Sequence, residues 1–196
     1  MNNKLGYTLI EVLVAVVIFF IIVGSPTGFF IISLRSQARN LSLREAIDAS
    51  SYALEYMGRA LRMAKKEVNP PTCLSLYGLN YELTSNRNLG GINYSGIGIK
   101  FINYHGECQE FFLDETTGHD TKGQLMETKN ESAPVALTPS GLEINFLKFK
   151  ISGEGQEDDS QPRITILFEI TKKGQTNFPK TRIQTTISQR NLDVIY

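Results

Sequence analysis

Few side chains in this 196-residue chain are suited to catalysis or metal binding. The chain has two histidines, His105 and His119, and two cysteines, Cys73 and Cys108. Neither a cysteine-rich zinc site nor a disulfide-dense small fold can be built from so few. His105, three residues before Cys108, and His119, in a Gly-His-Asp run, are interpreted as surface-loop residues, and His119 is expected to be exposed to solvent. The sequence therefore predicts no catalytic site.

The charged residue with the most unusual setting is Glu11. Residues 7–32 form an apolar run in which Glu11 is the only charged side chain. An acidic residue costs roughly 2.5–3.5 kcal/mol at mid-membrane and less near the interface, and such residues are functional by default. Either Glu11 reaches the headgroups from near the start of the run, or it pairs with a cation. Lys4 is poorly placed for this, whereas a new amine made by cleavage before Tyr7, in this chain or a neighbouring one, would suit.

The apolar run is long enough to cross a bilayer as a helix. A hydrocarbon core about 30 Å thick needs roughly 20 apolar residues, and a helix satisfies its own backbone in lipid. A removable secretory signal peptide is the alternative. Its apolar segment has about 7–15 residues and precedes a small-residue cleavage site, which this longer run lacks. The sequence predicts a membrane-spanning helix over residues 7–32.

The residues around Glu11 resemble the type IV prepilin cleavage and methylation motif. They read Lys4-Leu5-Gly6-Tyr7-Thr8-Leu9-Ile10-Glu11-Val12-Leu13. In that family a short leader ends in Gly and an aromatic residue follows, usually Phe, whose place Tyr7 takes here. The resemblance implies that the prepilin peptidase cuts between Gly6 and Tyr7 and that Tyr7 is N-methylated. It also implies that Glu11 neutralises the amine of a neighbouring subunit during assembly.

The resemblance implies an order of segments, a location and partners. Residues 1–6 are the expected leader, 7–32 the transmembrane segment, 33–68 its amphipathic continuation and 69–196 an extracytoplasmic head. The chain is expected as a single-pass protein of the cytoplasmic (inner) membrane, and then in a cell-surface or periplasmic filament. Its expected partners are other pilin or pseudopilin subunits, the prepilin peptidase, the inner-membrane assembly platform and the membrane.

Basic residues give the opposite orientation from the leader motif. Lys4 precedes the span, but Arg35, Arg39 and Arg44 follow it. Because positive residues concentrate on the cytoplasmic side, this distribution favours a cytoplasmic head. The leader motif is the more specific signal, so an extracytoplasmic head is predicted.

The helical pattern continues beyond the span. Apolar residues recur at three-, four- and seven-residue steps, at Leu43, Ile47, Leu54, Met57, Leu61 and Ala64. This predicts a helix with one apolar face that packs in a core. Lys65 and Lys66 suit a helix C-terminus, and the Asn-Pro-Pro sequence at residues 69–71 is expected to end the helix.

A second expectation for this helix concerns Pro26. Gly24, Pro26 and Gly28 are expected to interrupt the helix, because Pro26 removes one amide donor and clashes with the preceding turn. The family resemblance implies in addition that this region extends or melts when a subunit enters a filament.

Residues 69–196 have the alternating pattern of β-strands. The alternation is clear at residues 97–101, 142–151, 164–170 and 183–187, with another expected strand at 108–114. Within 142–151 the apolar phase shifts by one residue, which predicts a bulge. Loops are expected at residues 78–91, 118–123 and 153–162. The predicted fold is α+β and pilin-like, with a long N-terminal helix packed on an antiparallel β-sheet head.

The two cysteines are expected to form a disulfide. Cys73 and Cys108 lie 35 positions apart, in a head expected outside the cytoplasm. A bridge closing that loop stabilises by about 3–4 kcal/mol in the chain-entropy model. The alternative is two reduced, buried thiols.

Neither the net charge nor the acidic residues indicate a cofactor or a nucleic-acid partner. Lys and Arg number 20, as do Asp and Glu, so no specific nucleic acid is predicted as a partner. Glu154, Glu157, Asp158 and Asp159 could bind calcium but lack the spacing of an EF-hand loop. They are interpreted as a solvated loop, and no cofactor or metal is expected.

Two classes of function fit these features. The first is a structural, non-enzymatic subunit that assembles through its N-terminal helix into a type IV pilus or a type II secretion pseudopilus. Residues 137–141 and 184–190, with Phe146 and Phe149, resemble J-type or W-type minor subunits, which act in initiation or at the tip. Three machines are compatible with the sequence, namely a pilus, a secretion system and a DNA-uptake system. The alternative is a membrane-anchored binding or enzymatic head that uses a pilin-like anchor.

Overall fold

The structure is a computed structural model that describes residues 6–153, 160–174 and 180–190. The first five leader residues lie outside the described residues, as does the acidic cluster of Glu154, Glu157, Asp158 and Asp159. The chain divides into two units, Met1–Leu43 and Arg44–Tyr196. One helix, α1 (Leu9–Arg62), begins in the first unit and ends in the second.

The first unit contains the apolar part of α1. Its large side chains are exposed, with Phe20 at 67% and Phe29 at 80% of full exposure. By length and composition α1 could cross a membrane. Exposed Phe, Ile and Val side chains are suited to contact with lipid. The helix also satisfies its own backbone hydrogen bonds, as a segment in lipid must.

The second unit consists of the rest of α1 and two antiparallel sheets. In the described residues the first sheet has five strands in chain order: β1 (Glu82–Leu89), β2 (Ile92–Ile102), β3 (Cys108–Leu113), β4 (Leu125–Lys129) and β5 (Val135–Ala136). The second sheet has three: β6 (Leu142–Ser152), β7 (Arg163–Lys172) and β8 (Thr181–Ser188). The predicted α+β, pilin-like layout is confirmed, with two sheets where one was expected.

One hydrophobic core joins the second part of α1 to both sheets. The first sheet contributes Phe101 and Phe111, and the second contributes Ile164, Ile166 and Phe168. These positions alternate along their strands, so each sheet buries one face. A smaller cluster lies on the opposite face of the first sheet, made by Leu89, Phe112 and Met126 with Tyr94.

The buried face of α1 is partly the one predicted. Met57, Leu61 and Ala64 are fully buried, as expected from the apolar stripe. The prediction is wrong for Ile47, which is 41% exposed. Small residues are buried in that part of the helix instead, namely Ala46, Ser50 and Ala53. The hydroxyl of Ser50 stays satisfied because it donates to the carbonyl of Ala46 at 2.5 Å.

The helix ends at Arg62, before the prolines that were expected to stop it. Hydrogen bonds from distant segments take over at this point. The Tyr81 hydroxyl donates to the Leu61 carbonyl (2.7 Å), and the Arg190 N–H donates to the Arg62 carbonyl (2.8 Å). The Gln189 side-chain amide donates to the Ala64 carbonyl (2.9 Å), and the Lys65 N–H donates to the Ile102 carbonyl (2.9 Å). Because the last carbonyls of a helix have no partner within it, these contacts complete the helix and also turn the chain away.

The predicted bulge in β6 is confirmed. The register between β6 and β7 shifts between Ile144 and Phe146. As a result Ile144 and Leu147 both face the core, whereas Phe146 is 45% exposed. The bulge explains why the apolar residues of this strand change phase along the sequence.

Three strands were missed. Residues 78–91 were expected to form a loop, but β1 occupies Glu82–Leu89. This strand is an edge strand with polar residues on both faces, so it has no clear alternation. The short strands β4 (Leu125–Lys129) and β5 (Val135–Ala136) were also not predicted. Residues 118–123 do form turns, as expected, and the loop predicted at 153–162 falls mostly outside the described residues.

Candidate assembly site in the N-terminal segment

The start of α1 is fixed by Thr8. The N–H of Glu11 donates to the Thr8 carbonyl at 3.1 Å and lies 3.4 Å from the Thr8 hydroxyl oxygen. Thr8 is therefore the N-cap, and the spacing from Thr8 to Glu11 is that of a capping box. The Glu11 carboxylate lies in the first helical turn, where the helix dipole favours a negative charge.

Tyr7 and Glu11 line the same surface of the first unit. An open groove of about 570 Å³ is formed by Tyr7, Glu11, Val12, Ala15, Val16 and Phe19. Glu11 is the one charged residue among them. Gly6, Tyr7 and Thr8 precede the helix, and Tyr7 is 82% exposed. The groove thus combines the predicted methylation residue, the predicted assembly residue and a small residue, Ala15, one turn further on.

The helix is continuous at Pro26, so the expected interruption at residues 24–28 is wrong for this structure. Pro26 has no N–H to donate to the Ile22 carbonyl. One residue further on, the Thr27 hydroxyl donates to the Val23 carbonyl at 3.0 Å. Neither Gly24 nor Gly28 has another group within 4 Å of the place where a Cβ would lie. Melting around Pro26 during assembly stays a prediction.

Comparison with known families gives one match, and it falls on this segment. Residues 1–25 match the family described as the prokaryotic N-terminal methylation motif. The apolar helix and the antiparallel sheets that follow have the layout expected of type IV pilins and pseudopilins. The N-terminal motif and the layout of helix and sheets are both pilin-like. No curated protein and no solved structure matches it at a significant level.

The motif has direct consequences for this pilin-like chain. It implies processing by a prepilin peptidase and assembly with other pilin subunits. The motif and the apolar helix together indicate membrane anchoring.

The head of the pilin-like chain contains the predicted disulfide. Cys73 and Cys108 are bonded, with their Cα atoms 5.4 Å apart. The bridge joins the segment that follows α1 to the first residue of β3. The alternative of two reduced thiols is therefore excluded for this structure.

A buried carboxylate beside the disulfide was missed from the sequence. Glu67 is 1% exposed and accepts hydrogen bonds from the N–H groups of Thr72, Cys73 and Leu74 at 3.0, 2.8 and 2.6 Å. Burial raises the pKa of Glu67, but the bonds from Leu74, Thr72 and Cys73 outweigh it, so the pKa lies below its ordinary value. The carboxylate holds the segment that carries Cys73.

A second buried carboxylate explains where His119 lies. The His119 Nδ1 is 3.1 Å from Asp114, which also accepts from the Thr121 hydroxyl at 2.6 Å and the Thr116 N–H at 2.9 Å. Burial raises the pKa of Asp114, but the bonds from Thr121, Thr116 and His119 bring it below its ordinary value. His119 is thus a loop residue, as predicted, but the expectation of plain solvent exposure is wrong, because its side chain is 25% exposed and bound to a buried acid. The Asp-x-Thr spacing at Asp114 was the available signal, because Asp side chains bond the backbone two residues on.

The remaining histidine, His105, lies in a turn and takes no part in a metal-binding cluster. The backbone N–H of His105 donates to the Asn103 side-chain oxygen at 3.0 Å, within the turn between β2 and β3. Across the part of the chain that the structure describes, no group of three or more His, Cys, Asp or Glu side chains could hold a metal ion.

Proposed function

We propose that this chain is a minor pilin or pseudopilin that assembles through α1 into a type IV pilus or a type II secretion pseudopilus, in initiation or at the tip. The match of residues 1–25 to the methylation motif carries the proposal. The minor role rests on the likeness of residues 137–141, 184–190, Phe146 and Phe149 to J-type or W-type subunits. The proposed subunit is structural rather than enzymatic.

In the proposed topology, the N-terminus lies in the cytoplasm and the head lies outside. The Cys73–Cys108 disulfide supports this, because disulfides persist in oxidising compartments and are rare in the cytosol. This orientation requires the leader motif to override the basic residues that follow the span.

Maturation begins with hydrolysis of the bond between Gly6 and Tyr7. The peptidase adds water across this bond, so Gly6 gains a carboxylate and Tyr7 gains an amine. The amine then takes a methyl group from a separate methyl-donor substrate and loses a proton. The non-helical, exposed segment before Leu9 supports access to this bond. A small residue at Gly6 suits a close approach, and no other group lies within 4 Å of its Cβ position.

Assembly then uses the Glu11 carboxylate as the partner of a neighbour's Tyr7 amine. An unpaired carboxylate on an apolar surface is costly, and in a low dielectric the attraction between the two charges is strong. Because the groove around Glu11 is otherwise apolar, this pair selects one axial register between neighbouring helices.

The test is to replace Glu11 and follow processing and assembly separately. Glu11→Gln keeps the shape but removes the charge, and Glu11→Leu makes the helix more apolar. Both are expected to be cleaved and methylated, as read from the intact mass and the N-terminal peptide. Incorporation into filaments, or co-purification with partner subunits, is expected to fall at least about tenfold, equivalent to about 1.4 kcal/mol.

The matched control is Glu45→Gln, which removes an exposed acid further along α1. It is expected to assemble like the parent chain. The pairing mechanism is wrong if both Glu11 variants assemble as well as this control. A native chain that retains Met1, or that starts after Gly24, would contradict the proposed maturation itself.

A further inference from the structure

The outer face of the first sheet carries a concave polar region. Lys100, Glu110 and Thr128 lie side by side on β2, β3 and β4, because Lys100 pairs with Glu110 and Glu110 with Thr128. The edge strand β1 has a bulge between Thr84 and Asn86. Bulges redirect side chains and are common beside binding sites. Beyond this bulge, Arg87 reaches across the face to Glu110.

The Arg87–Glu110 pair is buried although it lies on the face away from the main core. Their side chains are 6% and 7% exposed, and the Arg87 Nε donates to Glu110 at 2.8 Å. The guanidinium lies 4.1 Å from the Phe112 ring centroid, and its Nη2 donates to Thr84 and to the Gly96 carbonyl at 3.0 and 2.9 Å. The Nη1 is buried and has no hydrogen-bond partner in the described ranges. Apolar residues of the same size often stabilise a protein at least as much as a buried ion pair does. Stability alone therefore does not explain why the Arg87–Glu110 pair is present.

Gly98 makes room for this pair. A Cβ at Gly98 would lie 2.5 Å from the Thr84 hydroxyl, 2.8 Å from the Arg87 Nη2 and 2.8 Å from Glu110. The bulge in β1 and the glycine in β2 are separate features of the backbone, and both serve to place this polar group on the sheet. The region is therefore a built site rather than an ordinary solvated face.

A cavity of about 220 Å³ lies beside the pair. Its lining includes side chains that can donate or accept hydrogen bonds, among them Asn86, Arg87, Lys100, Glu110 and Thr128. It is smaller than the pockets of about 300–1,000 Å³ that hold drug-sized ligands. We propose that this cavity binds a single neutral sugar ring, as at the end of a glycan.

Charge and chemistry select this class of ligand. The two cations of the lining, Arg87 and Lys100, are offset by Glu110 and Glu131, so the cavity attracts neither anions nor cations strongly. Lys100 is 22% exposed and 3.9 Å from Glu131, which leaves its ammonium able to donate to a ligand. Each hydroxyl of a sugar both donates and accepts, which matches a lining of amides, carboxylates and cations.

The experiment uses the full chain in lipid nanodiscs prepared without sugar-based detergent. Glucose, galactose, mannose and N-acetylglucosamine are titrated and followed by saturation-transfer NMR, with glucuronate and inorganic phosphate as charged probes. The Arg87 side-chain N–H signal reports binding at the site. A ligand of about a dozen heavy atoms is expected to bind in the millimolar range.

Two variants test the location. Lys100→Met removes the ammonium and keeps the stem, and Asn86→Ala removes an exposed amide at the bulge. Each is expected to weaken binding at least fivefold, whereas Lys148→Met and Asn145→Ala, on exposed positions of β6, leave it unchanged. Thermal unfolding of all four is measured to exclude loss of the fold.

Three results would overturn the proposal. The first is that no neutral sugar binds at about 50 mM, well above the affinity expected for so small a ligand. The second is that only glucuronate or phosphate binds, which would make the cavity an anion site. The third is that the cavity variants bind like their controls. None of these results bears on cleavage at Gly6 or on assembly through Glu11.

Discussion

At the residue scale, the second unit relies on carboxylates that are buried away from water and bonded to backbone. Glu67 is the clearest case, since three consecutive N–H groups converge on it. Glu67→Gln keeps the size of the side chain but weakens these bonds. We expect the free energy of unfolding to fall by about 1.5–3 kcal/mol, the range for hydrogen bonds to charged groups. Chemical denaturation measures this, with the exposed Glu45→Gln as the control.

The same residue makes a prediction about pH. Because the pKa of Glu67 is lower in the folded chain than in the unfolded one, its contribution is complete above the unfolded value of about 4.3 and is lost as the pH falls through the folded value. The parent chain is therefore expected to lose stability in acid more steeply than Glu67→Gln. Parallel curves for the two chains between pH 5 and pH 2 would contradict this.

Gly98 allows a test of packing at a single position. Gly98→Ala places a Cβ against Thr84, Arg87 and Glu110, so we expect a loss of about 1–3 kcal/mol, as for other overpacked sites. Gly141→Ala is the control, because nothing lies within 4 Å of its Cβ position. Equal thermal stability of the two variants would show that the side chains of Thr84, Arg87 and Glu110 can shift to accommodate the Cβ without loss of stability.

The sequence could identify a functional or structural residue only where the evidence for it lies in neighbouring positions of the chain. Glu11 was identified because a charge in an apolar run is conspicuous along the chain itself. Glu67 was not, because its donors lie five to seven residues away in a segment with no regular pattern. Arg87 and Glu110 are 23 positions apart and meet only through strand pairing.

At the scale of elements, β6 offers two neighbouring residues with opposite environments. Leu147 is 2% exposed and Phe146 is 45% exposed, because of the bulge between Ile144 and Phe146. Leu147→Ala is expected to cost about 2–5 kcal/mol, as for other buried leucines. Phe146→Ala is expected to cost less than about 1 kcal/mol, although the larger side chain is removed. Urea unfolding of both variants decides between this register and one without the bulge, in which the order would reverse.

The disulfide connects the segment that follows α1 to β3 and closes a long loop. Replacing both Cys73 and Cys108 by Ser is expected to lower stability by about 3–4 kcal/mol, given the sequence separation of 35. Calorimetry of the oxidised parent and the double variant measures it. Recovery of both cysteines as free thiols from the native protein would contradict the bridge.

Every strand that the sequence predicted places apolar side chains in the main core. β7 alternates because Ile164, Ile166, Phe168 and Ile170 all enter the core. β1 is an edge strand whose polar residues serve the outer face and the hairpin, so periodicity could not reveal it. The length of α1 was overestimated for a related reason: its end is set by the distant groups that bond its carbonyls, and local sequence does not show them.

At the scale of the whole molecule, the two units differ in what they need from their surroundings. The main core begins at Ala46, and none of the residues that the structure describes in the first unit belongs to it. A chain that begins near Leu34 is therefore expected to be soluble and to unfold in one cooperative transition, since it keeps the whole core. Circular dichroism on heating checks this, and a gradual loss of signal without a transition would contradict it.

The bonds at the end of α1 have a mechanical consequence. Leu61, Arg62 and Ala64 accept hydrogen bonds from Tyr81, Arg190 and Gln189, and Lys65 donates to Ile102, so the helix end is tied to segments next to β1, β2 and β8. Tension that enters the head along the helix reaches both sheets at the same point. Because these bonds meet at the last residues of one helix, we expect them to share the load, and we expect the head to resist pulling from this end better than pulling on a single edge strand.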